Sequence, residues 1–123
     1  MEHIIGIGID QVEIRRVIDA CKRERFVKKT YSEKEQMLLS NRKSAAATNF
    51  AGKEAVAKAF GCGFRGISPN EISILRRENG APYVELAGRA EKLAKQLGIT
   101  HLHISLSDSK ILANAFVIAV GKE

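Results

Sequence analysis

A chain of 123 residues suits one compact domain, expected here over 1–123, and its 45% hydrophobic content can fill one modest core. With 28% charged residues it is not a disordered composition, and no apolar run reaches the roughly 20 residues that span a bilayer. Twenty Lys and Arg against fourteen Asp and Glu leave a net charge of +6, which suits an anionic partner or simply marks a basic surface.

The N-terminus carries an acid at Glu2 and no basic stretch before a short apolar run. That is not a signal peptide, so the cytoplasm is expected. Cys21 and Cys62 have no metal-ligand spacing and read as two partly buried thiols.

Residues 4–9, IIGIGI, read as a buried strand ending at Asp10. Over 12–24, Ile14, Val17, Ile18 and Cys21 have helical spacing, with Arg15, Arg16, Lys22 and Arg23 off that stripe. Ser32 and Glu35 have the spacing of a capping box and predict a short helix over 33–39. A long alanine-rich helix is predicted from about 44 to 60, with Gly61 as the residue that ends it. Residues 61–69, with three glycines and a proline, read as a loop.

Residues 71–76 alternate as a strand, Asn79-Gly80 signals a turn, and 83–86 returns. A helix is predicted over about 88–97, stopped at Gly98. In 101–107, Leu102, Ile104 and Leu106 face one way and His103, Ser105 and Ser107 the other. Residues 114–120 form a last apolar strand. Hairpins with separate helices predict an α+β class, a mostly antiparallel sheet packed against the long helix.

Asp10 directly follows a strand. There it can reach a site or cap a following helix; position alone favours the cap, and the two roles are compatible. Glu54 and Lys58 share a helix face at i,i+4 spacing, which is commonly a solvated ion pair. Around them Ala51, Gly52, Ala55 and Ala57 would allow a close approach, with Phe50 and Phe60 as core anchors and Lys53 beside Glu54. Mg²⁺ takes one or two carboxylates plus waters and substrate phosphates. Asp10 and Glu54 could supply them if strand and helix pack together, with Lys58 beside the phosphates.

Gly6-x-Gly8 lacks the third glycine of a dinucleotide fingerprint and fits close strand–helix packing better. His103, Ser105 and Ser107 form either a wetted sheet face or a polar wall against a phosphate or sugar. No nucleophile-elbow motif accompanies them, which argues against a serine hydrolase. Arg16, Arg23 and Arg25, with Lys28, Lys29 and Phe26, form a solvated face or a docking surface for an acidic partner.

IGID at 7–10, Arg16 six residues after Asp10, and FAGKEAVAKAFG at 50–61 together resemble the acyl-carrier-protein synthase type of 4′-phosphopantetheinyl transferase. The pairing of G-[IV]-D with K-E-A-x-x-K carries the resemblance; NGAPY at 79–83 and HISLS at 103–107 extend it over nearly the whole chain. It implies the 4′-phosphopantetheinyl transferase fold. It also implies transfer of the 4′-phosphopantetheine arm of coenzyme A to a serine of an apo-acyl carrier protein, Mg²⁺-dependent, releasing adenosine 3′,5′-bisphosphate. By the same resemblance Asp10, Glu54 and Lys58 are catalytic, with Asp10 and Glu54 on the metal. Lys58, Gly61, Gly63, Asn79, Pro82, His103, Ser105 and Ser107 contact coenzyme A, and Arg16, Arg23, Arg25 and Phe26 dock the acidic carrier protein. A homotrimer with sites between subunits, serving fatty acid biosynthesis, is implied as well.

Four departures stand out. Asn49 stands where the family usually has Arg, Asp108 where it has His, and Ala81 where it has a basic residue; the span from Asp10 to Glu54 is short. They are expected to spare metal binding and to lower coenzyme A affinity or rate. The readings are an active transferase or a divergent relative that binds coenzyme A or carrier protein with weak or no turnover. A nucleic-acid-binding module is a third, weakened by only seven aromatic residues and no Trp.

Overall fold

A computed structural model describes residues 2–122 and has the expected α+β architecture. Its larger sheet is built on β5 (Leu112–Gly121), flanked by β1 (His3–Glu13) and β4 (Ile99–Asp108), all antiparallel. The strand expected to end at Asp10 runs on to Glu13, because Asp10, Gln11, Val12 and Glu13 pair with Ala115, Asn114, Ala113 and Leu112. Asp10 therefore sits inside a strand, which corrects its reading as a helix cap. The helix α1 (Ile14–Cys21) starts after Glu13, which makes no side-chain capping bond.

The helix expected over 12–24 is confined to Ile14–Cys21, and a second helix that the sequence reading did not include follows it. Arg23 is extended at φ −93° and ψ 117°, and α2 (Glu24–Thr30) sets off anew. The break turns Phe26 inward, where it stacks on Phe50 with centroids 6.1 Å apart and meets the edge of Tyr31 at 6.3 Å. That aromatic contact repays the interrupted helix. Next comes α3 (Glu33–Asn41), opened by the predicted capping box. Ser32 Oγ accepts from the Glu35 N–H at 3.3 Å, and Glu35 Oε1 accepts from the Ser32 N–H at 3.1 Å.

The long helix α4 (Ala45–Phe60) ends as expected at Gly61, whose φ of +87° is left-handed. It crosses the inner face of the sheet, where Ala113, Ala115, Val117 and Ala119 of β5 point inward. A Cβ on Gly6 or Gly8 would overlap the carbonyl oxygen of Ala59 or Ala55 on α4. The glycines thus serve close strand–helix packing.

A second sheet pairs β2 (Ile72–Arg76) with β3 (Pro82–Leu86). Before it, within the expected loop-to-strand passage, Pro69–Glu71 forms a 3₁₀ turn with its own capping box from Ser68 and Glu71. The helix α5 (Gly88–Gln96) leads into β4. Leu102, Ile104 and Leu106 of β4 pack on the core, as the alternation predicted. The outer face of the large sheet is uncovered, with Ile7, Ile9 and Phe116 exposed to 54%, 66% and 40%. Among the described residues no helix is long and apolar enough to cross a membrane.

Candidate active site

Close packing at Gly6 and Gly8 delivers the next inward residue of β1, Asp10, to the flank of α4. There Lys58 Nζ donates to Asp10 Oδ1 at 3.0 Å and to the Ile9 carbonyl at 3.0 Å. Lys58 is thus paired with Asp10 across elements, and the expected i,i+4 pair with Glu54 is not among the ion pairs of the described residues. An ammonium has three donors. Two are used here, and the half-exposed side chain leaves the third for a ligand.

Glu54 is half-buried. Burial pushes its carboxyl above the usual range, the negative charge of Asp10 pushes it further, and Lys58 opposes both. Two carboxylates close enough to disfavour one another, at an open rim, suit a hard divalent cation. Among the described residues no group of three or more His, Cys, Asp or Glu could hold a metal. The donor set therefore fits an ion such as Mg²⁺ that fills its remaining positions with water and ligand phosphate.

What turns Glu54 toward Asp10 is a network that sequence reasoning missed. Glu35 and Lys53, 0% and 1% exposed, form a buried ion pair. Lys53 Nζ also donates to the carbonyls of Pro69, at 2.9 Å, and Ile72. Burial lowers the Lys53 pKa while Glu35 holds it up. One turn back on α4, Asn49 Nδ2 donates to Glu35 Oε2 at 2.9 Å and to the Ile74 carbonyl at 2.8 Å. Residues 49 and 53 thus pin one face of α4 to α3 and β2, so the rotation that presents Glu54 and Lys58 is set. The available signal was a lysine amid alanines, four residues beyond Asn49, and a capping glutamate with a carboxylate oxygen to spare.

Asn49, which stands where the family usually has Arg, is fully buried and so does not itself line a substrate wall. Its Oδ1 accepts from Arg76 Nη2 at 2.8 Å. Arg76 lines a cavity of about 240 Å³ with Arg42, Ser44, Thr48, Gly80, Pro82, Ser107 and Asp108. The predicted Pro82 and Ser107 meet there. Asn79 Oδ1 accepts from the Ala81 N–H at 3.0 Å and shapes the adjoining turn.

His103 and Ser105 pair with Ile118 and Phe116 and lie on the outer sheet face, away from α4. Within one chain they do not join Asp10, Glu54 and Lys58. Gly61 and Gly63, at φ +87° and +60°, follow the end of α4 with open space around them. Arg16 and Arg25 are exposed on α1 and α2, Arg23 lies between these helices, and Phe26 is half-buried beneath the Arg23 guanidinium.

A carboxylate pair, a lysine and an arginine-lined cavity on this α+β frame define a protein suited to a phosphorylated ligand. The family model described as the 4′-phosphopantetheinyl transferase superfamily matches residues 6–120. A holo-[acyl-carrier-protein] synthase of Lachnoclostridium phytofermentans is 52% identical over 115 residues, 94% of either chain. Plasmodium yoelii acyl carrier protein synthase with ADP bound superposes with a TM-score of 0.90 at 32% identity, covering 100% of this chain and 99% of that one. Helicobacter pylori holo-[acyl-carrier-protein] synthase in complex with coenzyme A gives a TM-score of 0.82 at 31% identity, over 92% and 98% of the two chains. The chain belongs to the 4′-phosphopantetheinyl transferase superfamily, as an enzyme of its acyl-carrier-protein synthase type.

Proposed function

We propose that this enzyme, as one domain over the whole chain, moves the 4′-phosphopantetheine arm of coenzyme A to a serine of an apo-acyl carrier protein. The other product is adenosine 3′,5′-bisphosphate. The observation that carries the reading is the meeting of Asp10, Glu54 and Lys58 at an open rim. The serine oxygen bonds to the phosphorus bearing pantetheine, the bond from that phosphorus to the adenosine side breaks, and the serine proton leaves to water. Asp10 and Glu54 would hold Mg²⁺, which when bound supplies Lewis-acid stabilisation to the pyrophosphate. Lys58, anchored by Asp10 and the Ile9 carbonyl, offsets charge on the leaving phosphate.

Arg16, Arg23 and Arg25 on the first two helices are the proposed docking surface, their charge matched to an acidic carrier protein of fatty acid biosynthesis. The cytoplasm is the proposed location, in keeping with an ordinary charged composition. A homotrimer would cover the outer sheet face at Ile7, Ile9 and Phe116 and bring His103 and Ser105 to a neighbouring subunit's site. Light scattering should give three times the chain mass, and Ile9→Lys should shift it toward one. A monomeric unmodified protein would sink the trimer reading. The alternative of weak or no turnover loses one support, because Asn49 is buried and a guanidinium stands beside it.

Glu54→Gln tests the reaction. With apo-carrier protein, coenzyme A and Mg²⁺, the unmodified chain should add the phosphopantetheine mass to the carrier. Chelator should stop this, and the variant should be slower by at least about 100-fold. The folded-state pKa of Glu54 lies above its unfolded value, so its ionisation costs stability once pH exceeds the carboxylate range. A neutral amide removes that cost. The metal-free variant should therefore melt at the same or a higher temperature at neutral pH. Full turnover by the variant would refute the assignment.

A further inference from the structure

A groove of about 500 Å³ runs between α1, α2, α3 and the start of α4. Its floor is apolar, made by Ile18, Cys21, Val27, Leu39 and Ala46, and it leaves Ile18 47% exposed. Helical geometry sets Ile18 and Cys21 about 200° and about 140° around α1 from Arg16. This face of α1 is therefore not the basic one proposed for the carrier protein.

The polar side chains along the groove each have a partner within the protein. Cys21 Sγ donates to Tyr31 Oη at 3.9 Å, and Tyr31 Oη donates to the Ala46 carbonyl at 2.7 Å. Gln36 Nε2 donates to the Tyr31 carbonyl at 3.0 Å, and Ser40 Oγ to the Met37 carbonyl at 2.7 Å. Burial pushes the Cys21 thiol up, against the Tyr31 hydrogen bond, so the thiol stays neutral. The floor thus offers no free hydrogen-bonding side chain, and polar groups laid on it would be buried unpaired at a cost. A hydrocarbon chain needs no such partner.

The charges at the groove are both positive. Lys22, after the last turn of α1, and Lys43, just before α4, are exposed and line it, and no acid of the described residues does. Lys43 has no ion-pair partner among the described residues. Lys22 has Asp19 at 3.3 Å, an exposed pair of small worth. An apolar floor beside two ammoniums complements one anionic head on an apolar tail. The volume falls in the small-ligand range of about 300–1,000 Å³.

We infer that this groove binds a single-chain amphiphile with an anionic head, a free fatty-acid anion. Its chain lies on Ile18, Val27 and Leu39, and its carboxylate meets Lys22 and Lys43. Occupancy is read without turnover, so this site stands or falls independently of the coenzyme A reading.

Cys21 reports occupancy directly, because it lies on the floor while Cys62, beyond α4, lies outside the groove. Alkylation of both thiols by N-ethylmaleimide is followed by peptide mass spectrometry, with dodecanoate as the probe below its micelle concentration. Dodecanoate at several times its Kd should slow alkylation of Cys21 by about 5-fold or more, since protection follows occupancy, and leave Cys62 unchanged. Octanoate, with a shorter chain to bury, should bind at least about 10-fold more weakly. Lys43→Glu should weaken dodecanoate by about 5- to 10-fold, and Lys22→Glu should add to this, because an exposed attraction becomes a repulsion. Both positions are exposed, so both variants should fold. Dodecyltrimethylammonium, the same tail on a cationic head, should not protect.

Equal protection by the two heads, protection that survives both charge reversals, or equal slowing at Cys21 and Cys62 would overturn the site. Absence of protection by monomeric dodecanoate overturns it as well. Protection by apo-carrier protein or by phosphatidylglycerol vesicles in its place would give the groove to a protein or to a membrane surface.

Discussion

Lys53→Met should destabilise the protein by about 3–5 kcal/mol, the cost of stranding one member of a buried ion pair. Among the described residues Glu35 would keep the Ile74 N–H, the Asn49 amide and the Ser32 N–H as hydrogen-bond partners and would lose its ion-pair partner. The Ile72 carbonyl would lose the Lys53 donor as well, while the Pro69 carbonyl would keep the Ile72 N–H. Each unsatisfied buried group adds to the loss. Urea unfolding at fixed protein concentration measures the change. Pairing Lys53→Met with Glu35→Gln should return part of it, because the uncompensated charge is gone. A single-variant loss below about 1 kcal/mol would show that the pair does not anchor α4. Turnover should fall with stability, because the same contacts set the rotation that presents Glu54 one residue further on.

Gly8→Ala should be comparably severe for a different reason. The new methyl would meet the Ala55 carbonyl and the Ala59 nitrogen, which are backbone atoms of a buried helix and cannot turn aside. Overpacking of this kind costs about 1–3 kcal/mol and more where only backbone can yield. To relieve it β1 must lift from α4. Asp10, two residues on, would then leave Lys58 and Glu54. The variant should lose transfer well beyond its unfolded fraction, and the loss of turnover should exceed the shift in urea midpoint. Gly61→Ala is the control. Its φ is +87°, yet no atom lies within 4 Å of a Cβ, so only the left-handed backbone strain of about 1–2 kcal/mol applies. Normal activity and midpoint in Gly8→Ala would refute the account of how Asp10 is delivered.

Both variants act on contacts that the sequence hides to different degrees. Gly6-x-Gly8 reads from sequence as a close approach, and the structure supplies the partner, α4. Lys53 stands beside Glu54 with no local sign of its burial, yet it is buried. The elements that were legible are those whose determinants lie within a few residues. The alternation of β4, the Ser32–Glu35 capping box and the left-handed stop at Gly61 are all of this kind. Asp10, Glu54 and Lys58 were legible through the family motif, because each half of that motif is contiguous.

The remainder depended on partners distant in the chain. The strand at Asp10 continues to Glu13 because β5, about a hundred residues later, offers a ladder there, whereas position alone favoured a helix cap over a site role. The helix breaks at Arg23 because Phe26 has Phe50 and Tyr31 to join. Asn49 looked like a missing charge and proved to be the hinge between Glu35 and Arg76. Local hydrogen-bonding and periodicity are written in neighbouring residues, so sequence alone determined the class, most of the elements and the pair of acids with their lysine. Desolvation depends on what folds over a residue, and so only the tertiary structure decided which charges are buried, which way α4 is turned, and that the outer face carrying His103 and Ser105 lies apart from Glu54 within one chain.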